Sequence, residues 1–369
     1  MKRFFIFLFL ISHVTQGLAD DVRRGRVVDK ETGLPLPGVN IFFAGTTIGT
    51  ISDDAGNYII RYPENLHTNL IFQHIGYKIL EKGLKKATNT FLIIELAPKS
   101  VELKPVYVSA ERSWLQNYQR QLMLQKFLDK FFLNKTISDQ FCEIENTQYL
   151  DFNYHKPEYE VTCDTLLIVK NNFLGYQMKV ALNEFHWVSH ENHFNLKWEY
   201  FINFNEMSTQ DSHESKYWKE NRVYVYQGSF RHFIKTVINQ DPSDKNFKIF
   251  KCKKVRKGPN NQFKRSFDTE FSLNTNFKLQ KSDYNSLNFS EVFSVSRQNN
   301  LYRIDYNLHD EYLIIEYRNR IKGFIQLLTN QILSDDNGNL LMRNDLMVGG
   351  DWQNYGMESQ LPLDYVPDN

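Results

Sequence analysis

Three cysteines in 369 residues, no apolar run long enough to cross a bilayer after the first residues, and no excess of charge of either sign set the first limits on this chain. Cys142, Cys163 and Cys252 form an odd set, so at most one intramolecular disulfide can form and a disulfide framework is excluded. If two of them pair, Cys142 and Cys163, which flank a hairpin-like stretch, are the candidates; the other reading is three small buried apolar residues. With 44 Lys and Arg against 43 Asp and Glu, the chain offers no electrostatic footprint for nucleic acid. The one basic run, Lys251–Lys257, reads as a solvated strand or loop face rather than an anion or lipid-surface site. Nothing beyond the first residues approaches eighteen uninterrupted apolar positions, so no transmembrane helix is predicted.

Catalytic signatures are missing too. The ten histidines include no His-Glu-x-x-His, and there is no Gly-x-Ser-x-Gly elbow, phosphate loop or dinucleotide fingerprint. No catalytic residue and no cofactor is therefore expected.

The start of the chain addresses it. Lys2 and Arg3 precede the apolar run Phe4–Ile11, and Gly17-Leu18-Ala19 places small residues at the −3 and −1 positions of a cleavage site. Residues 1–19 read as a secretory signal peptide cleaved after Ala19, with no cysteine next to mark a lipoprotein. The expected location is outside the cytoplasm, in the periplasm or associated with an outer membrane.

Residues 20–110 alternate short apolar stretches with turn chemistry. Val22–Val28, Val39–Phe43, Gly49–Ser52, Tyr58–Arg61, Asn69–Gln73, Tyr77–Glu81 and Phe91–Leu96 read as strands. Thr32-Gly33, Pro35, Pro37 and Gly38 turn between the first two, and Asp53-Asp54-Ala55-Gly56-Asn57 reverses the chain between the third and fourth. The order G-x-V-x-D-x-x-T-G-x-P-L-P-G-V-N-I, G-T, S-D-x-x-G-N-Y, I-G-Y resembles the carboxypeptidase-like regulatory domain. That resemblance implies a transthyretin-like or immunoglobulin-like seven-stranded sandwich, of the kind carried at the N-terminus of many TonB-dependent receptors. Val101–Val108 is similar to the strand that closes such modules. A fold of this kind fixes no function.

Residues 111–140 are expected to link the sandwich to a second domain, with one amphipathic helix over 113–134 opened by a capping box at Ser113–Gln116. Residues 141–369 read as an antiparallel β-rich domain. Its strands are expected at Tyr149–Tyr154, Tyr159–Val169, Tyr176–Val188 and His193–Phe204, then, after a helix over Asn221–Asn239, in a meander from Phe267 to Tyr317. A late hairpin turns at Asp335–Asn339, and Gly349–Pro367 reads as an ordered tail. Blocks such as Phe132–Thr136, Cys142–Asn146 and Tyr226–Phe233 are similar to exported proteins that carry the same module and have no assigned activity. Asn134 stands where that group has glycine.

Several residue sets invite a chemical reading. The family name suggests a zinc carboxypeptidase, yet the one His-x-x-Glu pair, His155 and Glu158, straddles Pro157 and reads as a solvated hairpin tip. His186, His190 and His193 form the densest ligand-type cluster, with Glu184 and Glu191 nearby; beside Trp187 and Phe194 they read mainly as an aromatic hairpin and only as a weak metal candidate. Asp53–Asn57 and Asp335–Asn339 look like calcium loops but lack glycine at the sixth position and a distal Glu, so they read as turns. Gly228-Ser229 with His232 reads as helix packing. Tyr107, Trp114, Trp187, Trp198, Trp218 and Trp352 are aromatic contact candidates, most of them expected in cores.

The reading is a non-enzymatic exported envelope protein that binds another protein or a glycan. An outer-membrane β-barrel over residues 148–350 is the alternative, and a hydrolase with an unrecognised site is the second.

Overall fold

A computed structural model describes residues 22–367, apart from 64–65, 84–90, 100–109, 156, 190–193, 241–245, 257–269, 273–276, 283–284, 299, 309–310, 342–345 and 354–355. The chain is mainly β. Seven strands come first: β1 (Val22–Asp29), β2 (Asn40–Phe43), β3 (Gly49–Ile51), β4 (Asn57–Arg61), β5 (Leu70–Gln73), β6 (Leu80–Lys82) and β7 (Leu92–Leu96). They form two sheets, ordered β4-β1-β7 and β3-β2-β5-β6. β1 pairs antiparallel with β4 and parallel with β7. Alternation decides what each strand buries: on β1 Arg23, Gly25, Val27 and Asp29 point inward while Arg24 and Arg26 are exposed. The two sheets close over Val27, Val39, Ile41, Phe43, Tyr58, Ile60, Leu70, Phe72 and Ile94. The expected sandwich is present. Its sixth strand begins at Leu80, later than expected, because Tyr77 leaves that sheet to bridge Pro98. The expected closing strand Val101–Val108 falls outside the described residues.

Two helices follow, α1 (Ala110–Phe131) and α2 (Lys135–Phe141). The single helix expected over 113–134 is thus cut at its end, and Asn134 supplies the reason. Its backbone is extended and its side chain accepts from the Ile137 N–H, so it caps α2. The departure from glycine at this position therefore has a structural role.

The next strands are β8 (Cys142–Ile144), β9 (Leu150–His155), β10 (Glu158–Cys163), β11 (Leu167–Asn171), β12 (Tyr176–Ser189) and β13 (Phe194–Glu206). The long β12–β13 hairpin is the spine of this sheet. β11 and then β10 pair along the other edge of β12, with β8 and β9 outside them. The strand expected as one run over Tyr159–Val169 is broken at 164–166, and the break receives the sandwich: the Gln73 amide donates to the Asp164 carbonyl at 3.0 Å. α1 lays Met123, Phe127 and Phe131 on the inner face against Phe185 and Trp187. Burying each phenylalanine is worth roughly 1.5–3 kcal/mol.

Beyond β13 the helix expected over 221–239 is two helices, α3 (Ser212–Tyr226) and α4 (Phe230–Asn239). Gly228, at φ +72°, breaks them, and a Cβ there would lie 2.7 Å from the Tyr317 ring. Ser229 caps α4. The remaining elements are β14 (Phe247–Arg256), β15 (Glu270–Ser272), β16 (Phe277–Lys281), α5 (Phe289–Val292), β17 (Phe293–Gln298), β18 (Leu301–Tyr306), β19 (Tyr312–Tyr317), β20 (Arg320–Leu327), β21 (Gln331–Ser334) and β22 (Leu346–Gly350). They do not make one meander. One sheet runs β15-β16-β14-β19-β20-β22 and a second runs β17-β18-β21. α4 fills the space between them with Phe233, Ile234 and Val237. The strand expected at Leu287–Ser296 is interrupted by α5, which the Asn288–Glu291 capping box starts.

All three cysteines are free. The candidate Cys142–Cys163 pair is excluded by topology: Cys142 faces Asn171 at the far end of β11, whereas Cys163 ends β10. The length of β11 and the break before it separate them by roughly 15 Å or more, well beyond the reach of a disulfide.

Candidate functional site

The sandwich presents two outer faces, and the chain uses one of them. Phe42 and Ile71 from the β3-β2-β5-β6 sheet pack on Leu166 and Ala181 of the spine sheet. The loop after β2 extends this contact. Gly45 N–H donates to Ile202 O at 2.6 Å, Phe204 N–H donates to Thr46 O at 2.9 Å, and the Asn203 amide donates to the same Thr46 oxygen at 3.0 Å. The Lys99 ammonium pairs with Asp164 at 2.7 Å beside it. The sandwich is therefore docked by its own sheet and loop.

The other outer face, on β4-β1-β7, carries exposed side chains. Arg24 and Arg26 stand on the central strand; Ile59 and Arg61 flank them on β4, and Ile93 and Glu95 on β7, all exposed. Asn57 steadies Arg26, accepting from its Nε at 3.0 Å.

The C-terminal tail ties the units together. Leu363 N–H donates to Gly45 O at 2.7 Å, and Asp364 accepts from the Thr47 N–H at 3.1 Å and from its hydroxyl. Glu358, fully buried, accepts from the Leu133 and Asn134 N–H groups at the α1–α2 junction, while its carbonyl accepts from Asn171 at 2.9 Å. Burial pushes the Glu358 carboxyl above the ordinary carboxylate range. Arg231 on α4 donates to Pro362 O and Tyr365 O. The ordered tail expected from sequence is present, and its partners, hundreds of residues away, carry no local sequence signal.

A cleft of about 310 Å³ lies between α1, α2 and β8, lined among others by Leu128, Asp129, Lys135, Asp139, Cys142 and Glu143. Its chemistry is quiet. Lys135 donates to Asp129 at 2.7 Å and holds that carboxyl below its ordinary value. Burial, aided by Glu358, pushes the Cys142 thiol up to about 12, so it stays protonated at neutral pH and is no nucleophile.

The residues singled out in the sequence fall into place as follows. His155 and Glu158 face each other at the ends of β9 and β10, a hairpin tip around Pro157. His186 lies on β12, half-buried, between Lys197 and Glu160 in register; Glu184 is taken by Lys197 at 2.7 Å. His190 and His193 lie outside the described residues. Among the described residues no group of three His, Cys, Asp or Glu side chains is placed to hold a metal ion.

Ser229 and His232 do not form a nucleophile and base. The serine hydroxyl accepts from the His232 backbone N–H, and His232 Nδ1 accepts from the Gly228 N–H at 3.0 Å. Asp53–Asn57 and Asp335–Asn339 are turns, built alike. In each, the aspartate Oδ1 accepts from the N–H groups two and four residues on. The first is exposed, and its aspartate is held low by the Asn57 N–H; the second is buried, which pushes the Asp335 carboxyl up.

The aromatic candidates point inward: Trp187 stacks on Tyr159 at 4.9 Å, Trp218 donates to Asn172 O and Trp352 to Gly228 O, while Trp198 packs edge-on against Tyr200. Tyr107 and the Trp114 side chain lie outside the described residues. In the basic run, which ends β14, Cys252 is buried and Lys253 and Lys254 are exposed.

Residues 23–108 match the family model of the CarboxypepD_reg-like domain. TonB-dependent receptor P3 of Formosa agariphila is 35% identical over 98 residues, which cover 27% of this chain and 10% of that receptor. The match thus spans about a tenth of that relative's length. A 9R-lipoxygenase from Cyanothece PCC8801 aligns over 56% of this chain and 44% of its own, at 9% identity and a TM-score of 0.19, a likeness that carries no argument. The N-terminal sandwich is a CarboxypepD_reg-like domain.

Proposed function

We propose that this is an exported, non-enzymatic envelope protein that acts by binding another envelope protein or a glycan, in the periplasm or at the outer membrane. The observation that carries the reading is the way the regulatory-like sandwich is fixed. One face is locked onto the spine sheet through Phe42, Ile71 and Thr46, so that recognition of a partner falls to the edges and loop ends of the sandwich. Sandwich faces, edges and loops are the natural recognition surfaces of such modules. The signal-like residues 1–19 and the receptor similarity support export.

The barrel alternative is less favoured. Residues 148–350 distribute their strands over three sheets, each with buried apolar clusters on its faces. The hydrolase alternative meets a protonated Cys142 and a Ser229 engaged in capping.

The test is capture from envelope extracts with residues 20–369 as bait. A saturable partner supports the reading; about one tightly held zinc per chain, or peptide cleavage abolished by chelator and by His155→Ala, overturns it. A chain that stays insoluble without detergent favours the barrel.

A further inference from the structure

The exposed face of β4-β1-β7 is patterned in rows. Arg24 lies beside Ile59 on β4, and Arg26 lies between Asn57 on β4 and Ile93 on β7. Phe91 precedes β7, one step before the Gly25–Leu92 pair and hence opposite Arg24. Ile59 is 57% exposed, Phe91 60% and Ile93 66%, so three large apolar side chains stand in water around two guanidiniums. Arg61 adds a third cation in register with Val22, and Glu95, paired with Val28 at the far end, is the one acid on these strands' outer face.

We infer that this face docks on an anionic lipid surface, with the arginines on headgroup phosphates and Ile59, Phe91 and Ile93 entering the interfacial layer. The inference goes beyond partner binding and rests on the envelope reading only for placing a membrane beside the chain.

Three features select this occupant. The side chains stand together on one side of a single three-stranded sheet, and the cleft described above lies elsewhere, between α1, α2 and β8. A second copy of the chain fits poorly, because a two-fold contact through this face brings Arg24, Arg26 and Arg61 of both copies together against one Glu95 from each. A lipid surface instead rewards cations and apolar side chains in one plane, through attraction to anionic headgroups and burial of apolar area together. The opposite sandwich face cannot compete, since Phe42 and Ile71 are already buried against the spine sheet.

The experiment is co-sedimentation of the purified chain from Asp20 onward with vesicles of phosphatidylglycerol and phosphatidylethanolamine, and with phosphatidylcholine vesicles. Expected is binding selective for the anionic vesicles that weakens as salt rises. In Arg24→Glu/Arg26→Glu it should fall at least about tenfold, and it should fall as well in Ile59→Ser/Ile93→Ser, both variants keeping the parent melting temperature because the four side chains are exposed. Equal binding to phosphatidylcholine, no binding at low salt, or binding unchanged in a folded Arg24→Glu/Arg26→Glu variant overturns the inference. So does capture by polyglutamate in place of vesicles, which would make the occupant an acidic protein. A partner captured equally by parent and variant without vesicle binding overturns the lipid surface and leaves the binding reading standing.

Discussion

Asp364 closes on Thr47 across 317 positions of sequence, its carboxylate accepting from the Thr47 N–H through both oxygens at 3.1 Å. The contact joins the end of the chain to the loop that itself extends the edge of β13. The sandwich, the spine sheet and the C-terminal sheets are thereby held by one strap, with Arg231, Asn337 and Asn339 gripping it from the far side.

The strap's anchors should differ in weight. Glu358→Ala removes the acceptor of two partly buried backbone N–H groups and should cost about 2–4 kcal/mol. Asp364→Ala acts at an exposed contact and should cost under about 1 kcal/mol. Urea unfolding of the two variants checks the order, and equal losses would contradict it.

Gly56 sits at φ +75°, and a Cβ there would lie 2.5 Å from the Val27 carbonyl oxygen, a backbone atom that cannot yield. Gly56→Val should therefore destabilise the sandwich by about 1–3 kcal/mol or more. An unchanged melting temperature would show that this turn is built differently.

Lys281 and Glu316 form an ion pair in which both side chains are under a tenth exposed, with the ammonium 3.8 Å over the Phe250 ring. Glu316→Ala leaves the ammonium buried without its partner and should cost about 3–5 kcal/mol. The double change Lys281→Met/Glu316→Leu should recover most of that loss, since it removes both desolvated charges. A double variant as unstable as the single one would show that the pair is net stabilising.

Stability should fall at acid pH through Asp29. The Tyr77 hydroxyl, donating at 2.6 Å, and then the Thr32 N–H hold its carboxyl at about 2, down from 3.8. A depressed folded-state value means stabilisation that is present above 3.8 and is lost as pH falls toward about 2. Asp335 and Glu358, raised by burial, have the opposite sign: they favour the folded state below their raised values and oppose it as pH rises through the range between ordinary and raised values. Tyr77→Phe should flatten the acid-side fall in melting temperature. A parent-like slope in that variant would rule out the Tyr77 contact as its source.

The first unit was nearly legible from sequence because its turns are local. Asp53, Gly56 and Asn57 carry their own hydrogen bonds within five residues, so the strands on either side follow. The same logic found the turn at Asp335 and the hairpin tip at Pro157. It missed the cut at Asn134 and the break at Gly228–Ser229, where apolar periodicity runs on through a cap that a single hydroxyl or amide decides.

By itself, then, the sequence determined the strands of the sandwich and that Asp53 and Asp335 turn the chain, since these depend on alternation and on contacts a few residues apart. Only the tertiary structure decided that the run from Tyr159 breaks to receive Gln73, that the late strands split into two sheets around α4, and that Glu358 and Asp364 strap the units together. Those outcomes rest on pairings between residues far apart in the chain, where the favourable term is burial against a distant surface that no local pattern encodes.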